Sequence, residues 1–386
     1  MVDIRHLCFI VPSYPTATDP VYTFVRQLIC SIADMGIKCS VIAPQSITKR
    51  LIRRKKRRPY FWQDISGGHS IIDVYQPTFI SFSNIRVFGT SLSSMFRQHA
   101  ILKTFDKISN RPDALYGHFW HSGVNAGIIG TKYGLPVFVA TGESKIWVNN
   151  LYKKEKLHRG LNNVKGVICV STKNMQESLD LKLAPKDKMI VIPNAIDNKK
   201  FYQIDKTKAR KKLGFNEEDF IVAFVGYFIH RKGVLRLDEA VKRVGDVKTI
   251  YIGSGKLKPE GEGILFIGSL PHDQIVYYLN AADVFVLPTL AEGCCNAIIE
   301  AMACGLPIIS SDLPFNDDIL DDENSIRINP YSVDEIANAI QYLKDNPEAR
   351  NRMSTTSLEK SKTLRIEERA KRIIQFIQEN SKNNAI

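Results

Sequence analysis

Two glutamates eight positions apart, Glu292 and Glu300, are the first residues whose placement points to chemistry. They stand in the stretch VFVLPTLAEGCCNAIIEAMACGLPIISSD, residues 284–312. Its opening apolar run predicts a strand ending at Pro288, then a loop carrying Glu292 and Gly293. A helix is predicted from Cys295 or Asn296, with Gly305 just beyond its last turn, where a glycine often closes a helix. The next strand starts at Pro307. A helix that begins at a strand's carboxyl end exposes free backbone N–H groups and the positive end of its dipole, a ready site for a diphosphate. Gly293 lets the backbone come close to such a ligand. Glu300, about one turn into the helix, is placed to aim a carboxylate at the two hydroxyls of a ribose, and Glu292 to hold sugar hydroxyls beyond the phosphates. Taken singly, each glutamate reads as well as a solvated surface charge. The whole arrangement points to a ligand.

A second cluster follows the first strand of the second half, in Phe224-Val225-Gly226-Tyr227-Phe228-Ile229-His230-Arg231-Lys232-Gly233. Gly226 closes the strand, and Arg231 and Lys232 precede a helix. A departing diphosphate gains charge as its bond breaks, and two cations there stabilise that transition state. Gly268-Ser269-Leu270-Pro271 likewise follows a strand and opens a helix. Asp283 reads as a residue that stabilises the adjacent turn. In the first half, Val11-Pro12-Ser13-Tyr14-Pro15 ends the first strand. Another strand, Ala114–His118, ends in a histidine, and Thr141-Gly142-Glu143-Ser144 ends the next, with Glu143 facing the same way. His118 and His121 lack the further ligand that zinc needs, so no metal site is expected.

The elements that must position these residues alternate regularly. Short apolar runs at His6–Val11, Cys39–Ala43, Ile71–Tyr75, Ala114–His118, Pro136–Thr141 and Gly166–Val170 are separated by helical patterns such as Val21–Met35 and Leu92–Ser109. A second series runs through Ile221–Gly226, Thr249–Gly253, Ile264–Gly268, Val284–Pro288 and Pro307–Ser311, with Val333–Lys344 as a helix. Continuous rather than alternating apolar strands predict sheets covered by helices on both faces. Repeated βα units predict right-handed crossovers and parallel, doubly wound sheets. The expected division is a Rossmann-like acceptor-binding domain over 1–190 and a second over 191–365, joined near Ile192-Pro193-Asn194-Ala195-Ile196-Asp197. A last helix, Ile366–Asn380 within 366–386, is expected to pack back on the first domain. In open sheets of this kind ligands bind at the carboxyl ends of the strands, where all the candidate residues fall.

The E-x7-E pair in EGCCNAIIEAMACGLPIISSD resembles the signature of the large retaining glycosyltransferase family 4, whose GT-B fold has two Rossmann-like domains facing across a cleft. The resemblance covers residues 190–312 well and the first half more loosely. It implies that Glu300 binds the ribose, that Glu292 contacts the donor sugar near the reacting carbon, and that the amides of Gly293, Cys294, Cys295 and Asn296 hold the diphosphate or sugar. Relatives often carry an aromatic residue and a proline where Cys294 and Cys295 stand, a change expected to alter pocket shape. Gly226 to Gly233 is similar to the family's Gly-Arg…Lys-Gly segment, with Tyr227 in place of the usual arginine and Arg231 as its substitute beside Lys232. Gly253-Ser254-Gly255 resembles the family's glycine-rich turn, and Ser269 and Leu270 correspond to the loop that contacts the nucleobase. His118 matches the histidine that meets the donor sugar, and Ser13 and Tyr14 the loop facing the acceptor. Many relatives have His-Gly in the segment where Thr141-Gly142-Glu143-Ser144 stands. The activity implied is transfer of a sugar from a UDP- or GDP-linked donor to a lipid-linked or cell-surface glycan acceptor, without metal or other cofactor.

Composition sets the remaining bounds. The 386 residues suit two domains, and 44% hydrophobic with 24% charged residues suit a globular protein. Residues 1–200 carry a net charge of +16 and the rest −3, giving +13 overall. So basic a first half predicts a polyanionic partner. The run Lys49-Arg50-Leu51-Ile52-Arg53-Arg54-Lys55-Lys56-Arg57-Arg58, followed by Tyr60, Phe61 and Trp62, suits an anionic membrane surface. Nucleic acid is the weaker alternative, since no RNA-binding motif accompanies the charge. Seven cysteines, an odd number without a C-x-x-C pair, fit buried thiols in a reducing compartment. The start reads as a strand and no apolar stretch reaches about 20 residues. A cytoplasmic protein, peripheral on the inner face of the cell membrane, is expected. Two other functions share these features: a two-domain epimerase or hydrolase of nucleotide sugars, and a non-catalytic polyanion-binding protein.

Overall fold

The computed structural model describes residues 3–16, 19, 21–52, 54, 56–82 and 85–381. The chain divides into two compact units, Met1–Ile192 with Glu367–Ile386, and Pro193–Ile366. They are called unit 1 and unit 2 below.

Unit 1 is built on an eight-stranded sheet. Its order is Met189–Val191, Val164–Cys169, Val137–Thr141, Ala114–His118, His6–Ile10, Lys38–Ile42, Ile71–Tyr75 and Phe61–Ile65. His6–Ile10, Ala114–His118 and Val137–Thr141 are buried at every position, as expected of strands covered on both faces. From the central pair, His6–Ile10 and Ala114–His118, the sheet winds outward in both directions, which makes their carboxyl ends its switch point.

Seven strands run parallel, but Phe61–Ile65 pairs antiparallel with Ile71–Tyr75 through a turn at Ser66–Ser70. The parallel, doubly wound sheet thus carries one antiparallel edge strand. Tyr60 and Phe61, which follow the basic run, are exposed. Phe61 and Trp62 lie in an edge strand, with the Phe61 ring 5.0 Å from that of Tyr75 and Trp62 Nε1 donating to Gln76 Oε1 at 3.0 Å. An edge strand alternates between exposed and covered positions, so it carries no continuous apolar run.

Unit 2 has a six-stranded, all-parallel sheet in the order Ile264–Gly268, Lys248–Ile252, Ile221–Val225, Val284–Leu287, Ile308–Ser311 and Ser325–Ile328. Numbered along the chain this is 3-2-1-4-5-6, the doubly wound dinucleotide-binding order. The switch point falls between Ile221–Val225 and Val284–Leu287, the two strands whose following loops hold Arg231 and Glu292. Asp283 anchors the base of this sheet: it accepts from Arg210 Nη2 at 2.8 Å and from the Ile221 amide at 2.8 Å. Among the described residues no helix is long and apolar enough to cross a membrane.

The helix Ile366–Asn380 begins at the end of unit 2 and packs in unit 1, burying Ala370, Ile373, Ile374, Phe376 and Ile377. Phe376 lies edge-on to Phe138, with centroids 6.2 Å apart, over Gly166, where a β-carbon would approach its ring to 2.5 Å. Because Ile373 is fully enclosed, Ile373→Ala is expected to destabilise unit 1 by about 3 kcal/mol. Denaturant unfolding monitored by near-ultraviolet signals checks this, and a loss below ~1 kcal/mol means that the helix is not docked as described.

Candidate active site

The carboxyl edge of the unit 2 sheet is shaped by glycines that let loops lie flat across it. The Gly226 amide donates to Ile252 O at 2.9 Å and the Gly253 amide to Gly268 O at 2.8 Å, so three neighbouring strands end in register. Gly253 adopts φ +152°, and a β-carbon there would lie 1.8 Å from Gly226 O. Only glycine fits so close a crossing. Beyond this edge Ser269 is exposed and donates to Gly253 O at 3.3 Å, with Leu270 half-buried beside it.

The two switch-point loops are knitted together. Arg231 and Lys232 sit on a single 3-10 turn, His230–Lys232, closed by Gly233 at φ +78°. The Leu290 amide donates to Arg231 O at 2.8 Å, and Arg231 Nη1 donates to Ala291 O. Arg236 braces both loops from behind: Nη2 donates to Pro288 O at 2.9 Å, Nη1 to His230 O at 3.1 Å and Nε to Pro330 O at 2.6 Å.

At the junction Glu292 Oε1 accepts from Arg231 Nη1 at 2.8 Å and Thr289 Oγ1 at 2.8 Å, and pairs with Lys232 Nζ at 2.7 Å. Its Oε2 has no partner among the described residues. Burial opposes the charge of Lys232, but Cys295 and Glu292 outweigh it and raise the ammonium above its ordinary value. Two cations face one carboxylate, so the cluster keeps a net positive charge.

The helix predicted beside it runs Asn296–Ala303 with Cys295 as its N-cap. Its end is a Schellman turn, in which the Leu306 amide donates to Ala301 O at 3.0 Å and the Gly305 amide to Met302 O at 2.9 Å, with Gly305 at φ +78°. At the other end Cys295 O is the first intrahelical acceptor, so amides before Ile298 have no partner within the helix. Cys294 and Cys295 are buried, and Asn194 Nδ2 holds Cys294 O at 3.1 Å. Burial raises the Cys295 thiol, against the pull of Lys232. Asn296 Oδ1 is buried without a protein partner.

Glu300 is almost covered, and its Oε1 accepts from His272 Nε2 at 3.0 Å; since a carboxylate only accepts, that nitrogen carries the proton. The His272 ring stands edge-on to Phe201 at 4.9 Å. Burial works against its charge, yet the Glu300 bond and charge prevail and raise the imidazole above 6.5.

In unit 1, His118 closes its strand and is buried with its ring 4.6 Å from Phe119 and 5.6 Å from Phe24. Burial and the charge of Arg369 push it down to about 3, so it is a neutral imidazole, and its Nδ1 has no protein partner. Glu143 is half-buried at the start of the helix Trp120–Tyr133: Oε1 accepts from the Trp120 amide at 2.8 Å, and Oε2 from Thr141 Oγ1 at 2.7 Å and the Gly142 amide at 2.9 Å. Burial raises its carboxyl, and these bonds work against the rise.

Ser13 accepts from Arg58 Nη1 at 3.1 Å. Tyr14 turns inward instead of toward an acceptor, fully buried with its hydroxyl on Asp64 Oδ2 at 2.8 Å, because Asp64 and the Trp62 ring complete a packed cluster around it. Within the run Lys49–Arg58, Arg53 and Lys55 lie outside the described residues. Arg58 is held inward by Asp19 at 2.6 Å, while Lys49, Arg54, Lys56 and Arg57 are exposed.

Unit 2 therefore brings Arg231, Lys232, Glu292 and the helix start together, and places Glu300 within the same loop-and-helix segment. His272, Arg236, Thr289 and Asn194 escape sequence reasoning. For His272 there was a signal: it lies two residues past Leu270, in the loop already singled out.

Comparison with known proteins fits this geometry. A model of glycosyl transferases group 1 matches residues 205–360, and one of glycosyltransferase family 4 matches residues 21–200. Sucrose-phosphate synthase from Thermosynechococcus elongatus superposes with a TM-score of 0.76 at 18% identity, over 97% of this chain and 98% of that one. HepE from Anabaena, solved with UDP-glucose, superposes with a TM-score of 0.69 at 16% identity, over 97% and 99%. The fold is that of a GT-B glycosyltransferase. Within that class the chain belongs to glycosyltransferase family 4. It is 27% identical over 351 residues, 86% of this chain and 88% of the other, to the teichuronic acid biosynthesis glycosyltransferase TuaC of Bacillus subtilis. It is 26% identical to the Escherichia coli UDP-Gal:alpha-D-GlcNAc-diphosphoundecaprenol alpha-1,3-galactosyltransferase, over 61% of this chain and 67% of that protein.

The His272–Glu300 pair gives a pH signature. Since the folded value of His272 is raised above 6.5, its stabilisation is complete below that pH and disappears as pH climbs through the raised value. His272→Gln is expected to lower stability by ~1 kcal/mol or less at pH 6, the exposed ring being partly screened, and by nothing measurable at pH 9. Melting curves of both proteins at the two pH values check this; an equal loss at both removes the ion pair.

Proposed function

We propose that this glycosyltransferase transfers a sugar, with retention of anomeric configuration, from a UDP- or GDP-linked donor to a lipid-linked or cell-surface glycan acceptor. The observation that carries the donor half is the switch-point cluster of unit 2. Two cations, one carboxylate with a free oxygen and an open helix start converge where this fold binds nucleotides.

In this reading the diphosphate lies on the amides of Gly293, Cys294, Cys295 and Asn296. Arg231 and Lys232 neutralise the charge that gathers on it as the glycosidic bond breaks. Glu300, oriented by His272, takes the ribose hydroxyls, with the base over Ser269 and Leu270 at the end formed by Gly226, Gly253 and Gly268. The open Oε2 of Glu292 holds a sugar hydroxyl near the reacting carbon. His118, neutral through the physiological range, is assigned to orient the sugar as a hydrogen-bonding partner. The acceptor oxygen attacks from the face the diphosphate leaves, its proton passes to a leaving phosphate oxygen, and the configuration is kept. Arg231 and Lys232 supply the positive charge that a divalent ion would otherwise bring, so the transfer is assigned as metal-independent.

The acceptor half rests on relatives: one is named for teichuronic acid biosynthesis and one for a diphosphoundecaprenol substrate. The exposed Lys49, Arg54, Lys56 and Arg57, next to exposed Leu51 and Ile52, are assigned to contact with the inner face of an anionic membrane. In this reading the protein is cytoplasmic and peripheral on the membrane.

Thermal shifts against UDP, GDP and their sugars test the donor site, since a ligand at 100 times its dissociation constant adds about 2.7 kcal/mol. Glu300→Ala is expected to weaken nucleotide affinity about 100-fold, the scale of a lost charge-assisted pair of hydrogen bonds. Unchanged affinity in that variant would falsify the ribose assignment. The anomeric configuration of the product, read by proton NMR, and activity in excess chelator test retention and metal independence.

A further inference from the structure

Arg97 is a half-buried cation that no carboxylate meets among the described residues. It projects from the helix Leu92–Phe105 into unit 1, with Nη1 3.3 Å from His121 Nδ1 and Nη2 3.5 Å from Val11 O. No carboxylate pairs with it among the described residues, and its Nε is buried with no partner. Three other covered guanidinium groups do have a carboxylate: Arg26 has Asp64 at 2.6 Å, Arg58 has Asp19 at 2.6 Å and Arg210 has Asp283 at 2.8 Å. A guanidinium does not shed its proton in a protein, so desolvation leaves Arg97 charged and costly unless an anion reaches it.

His121 defines what is missing. Burial first, then the charges of Arg97 and Lys49, hold its imidazole well below the ordinary value, so the ring is neutral. Its Nδ1 faces a guanidinium that can only donate, so Nδ1 is the acceptor and Nε2 carries the proton. That Nε2 is also buried without a partner. Arg97 Nε and His121 Nε2 are thus two enclosed donors without acceptors, beside one positive charge that no described carboxylate meets. The group that completes it accepts hydrogen bonds and is negative.

The place itself is where a ligand belongs. Val11 directly follows the strand His6–Ile10, and His121 lies in the first turn of the helix that follows Ala114–His118. Those strands form the switch point of unit 1. We propose that Arg97, with His121, is an oxyanion subsite of unit 1 that takes a phosphate group of the acceptor. This rests on the assignment of unit 1 to the acceptor. The planar guanidinium fork suits a phosphate, lipid-linked or soluble, and fixes its orientation.

The test uses the full chain with UDP or GDP at saturating concentration to fill unit 2, and inorganic phosphate as the probe. Phosphate is expected to raise the melting temperature of the parent. Its affinity should fall by about 10-fold or more in Arg97→Met and stay within about 2-fold in Lys154→Ala, which removes an exposed cation of the same unit. Without phosphate, Arg97→Met should melt no lower than the parent, because a half-buried charge without a carboxylate has gone. If Arg97→Met does not fold, Arg97→Lys keeps the charge, loses the fork and decides through the same affinity ratio.

Farnesyl phosphate and glucose 6-phosphate separate the sources. Tighter, Arg97-dependent binding of the first assigns a lipid-linked acceptor, and of the second a soluble one. No phosphate response in the parent, or an equal response in Arg97→Met, overturns the subsite and leaves structural water as the occupant. Nucleotide shifts without phosphate are recorded on the same samples, so failure of the donor assignment is seen separately.

Discussion

One carboxylate oxygen, Glu292 Oε1, ties the catalytic half of this molecule together. Arg231, Lys232 and Thr289 all converge on it, from loops that follow two strands separated by some sixty residues of chain. Charges of one sign at a strand end repel and would splay those loops. A shared counter-charge holds them within contact range while leaving the cluster net positive. Arg236 and Gly233 make the approach possible, the first by bonding three carbonyls, the second because any β-carbon there would lie 2.4 Å from Pro288 O. The site is thus assembled in advance and still short of negative charge, the condition under which a diphosphate gains most from binding.

The two units share a plan and differ in electrostatics. Each winds its sheet in both directions from a central pair of strands and starts a helix beside that pair. In unit 2 the helix from Asn296 has no carboxylate at its start. In unit 1 the corresponding helix from Trp120 is capped by the half-buried carboxylate of Glu143. Phe119, between strand and helix, is held at φ 68° and ψ 153°, a conformation rare for any residue with a side chain. Glu143, bonded to the Trp120 amide, Thr141 and the Gly142 amide, fixes this turn. A cation also stands at the switch point of unit 1, Arg97 beside Val11 and His121.

Much of this was legible in the sequence, and for identifiable reasons. Parallel strands here are short, mostly apolar runs, so the runs at Ile71–Tyr75, Ala114–His118 and Ile264–Gly268 mark strands with those same limits. Strand, glycine, acidic residue and helix start are neighbours along the chain, so the segment around Glu292 and Glu300 declares itself. What stayed hidden depends on residues far apart. The edge strand Phe61–Ile65 alternates and looks like surface, and Tyr14 faces inward only because Asp64 and Trp62 come to meet it. The support from Arg236 and the isolation of Arg97 are properties of surroundings that no local pattern encodes.

The return of the last helix to unit 1 sets an order of events during synthesis. Unit 2 is contiguous, and its two ends are already bonded to each other through Ile196, which donates to Leu364 O and accepts from the Ile366 amide, both at 2.9 Å. It holds everything it needs once residue 366 has left the ribosome. Unit 1, although translated first, waits for Ile373 and Phe376 to cover its sheet. The amino-terminal lobe must therefore persist as an incomplete, partly open core while its neighbour folds, which makes it the stage at which chaperones have the most apolar surface to hold.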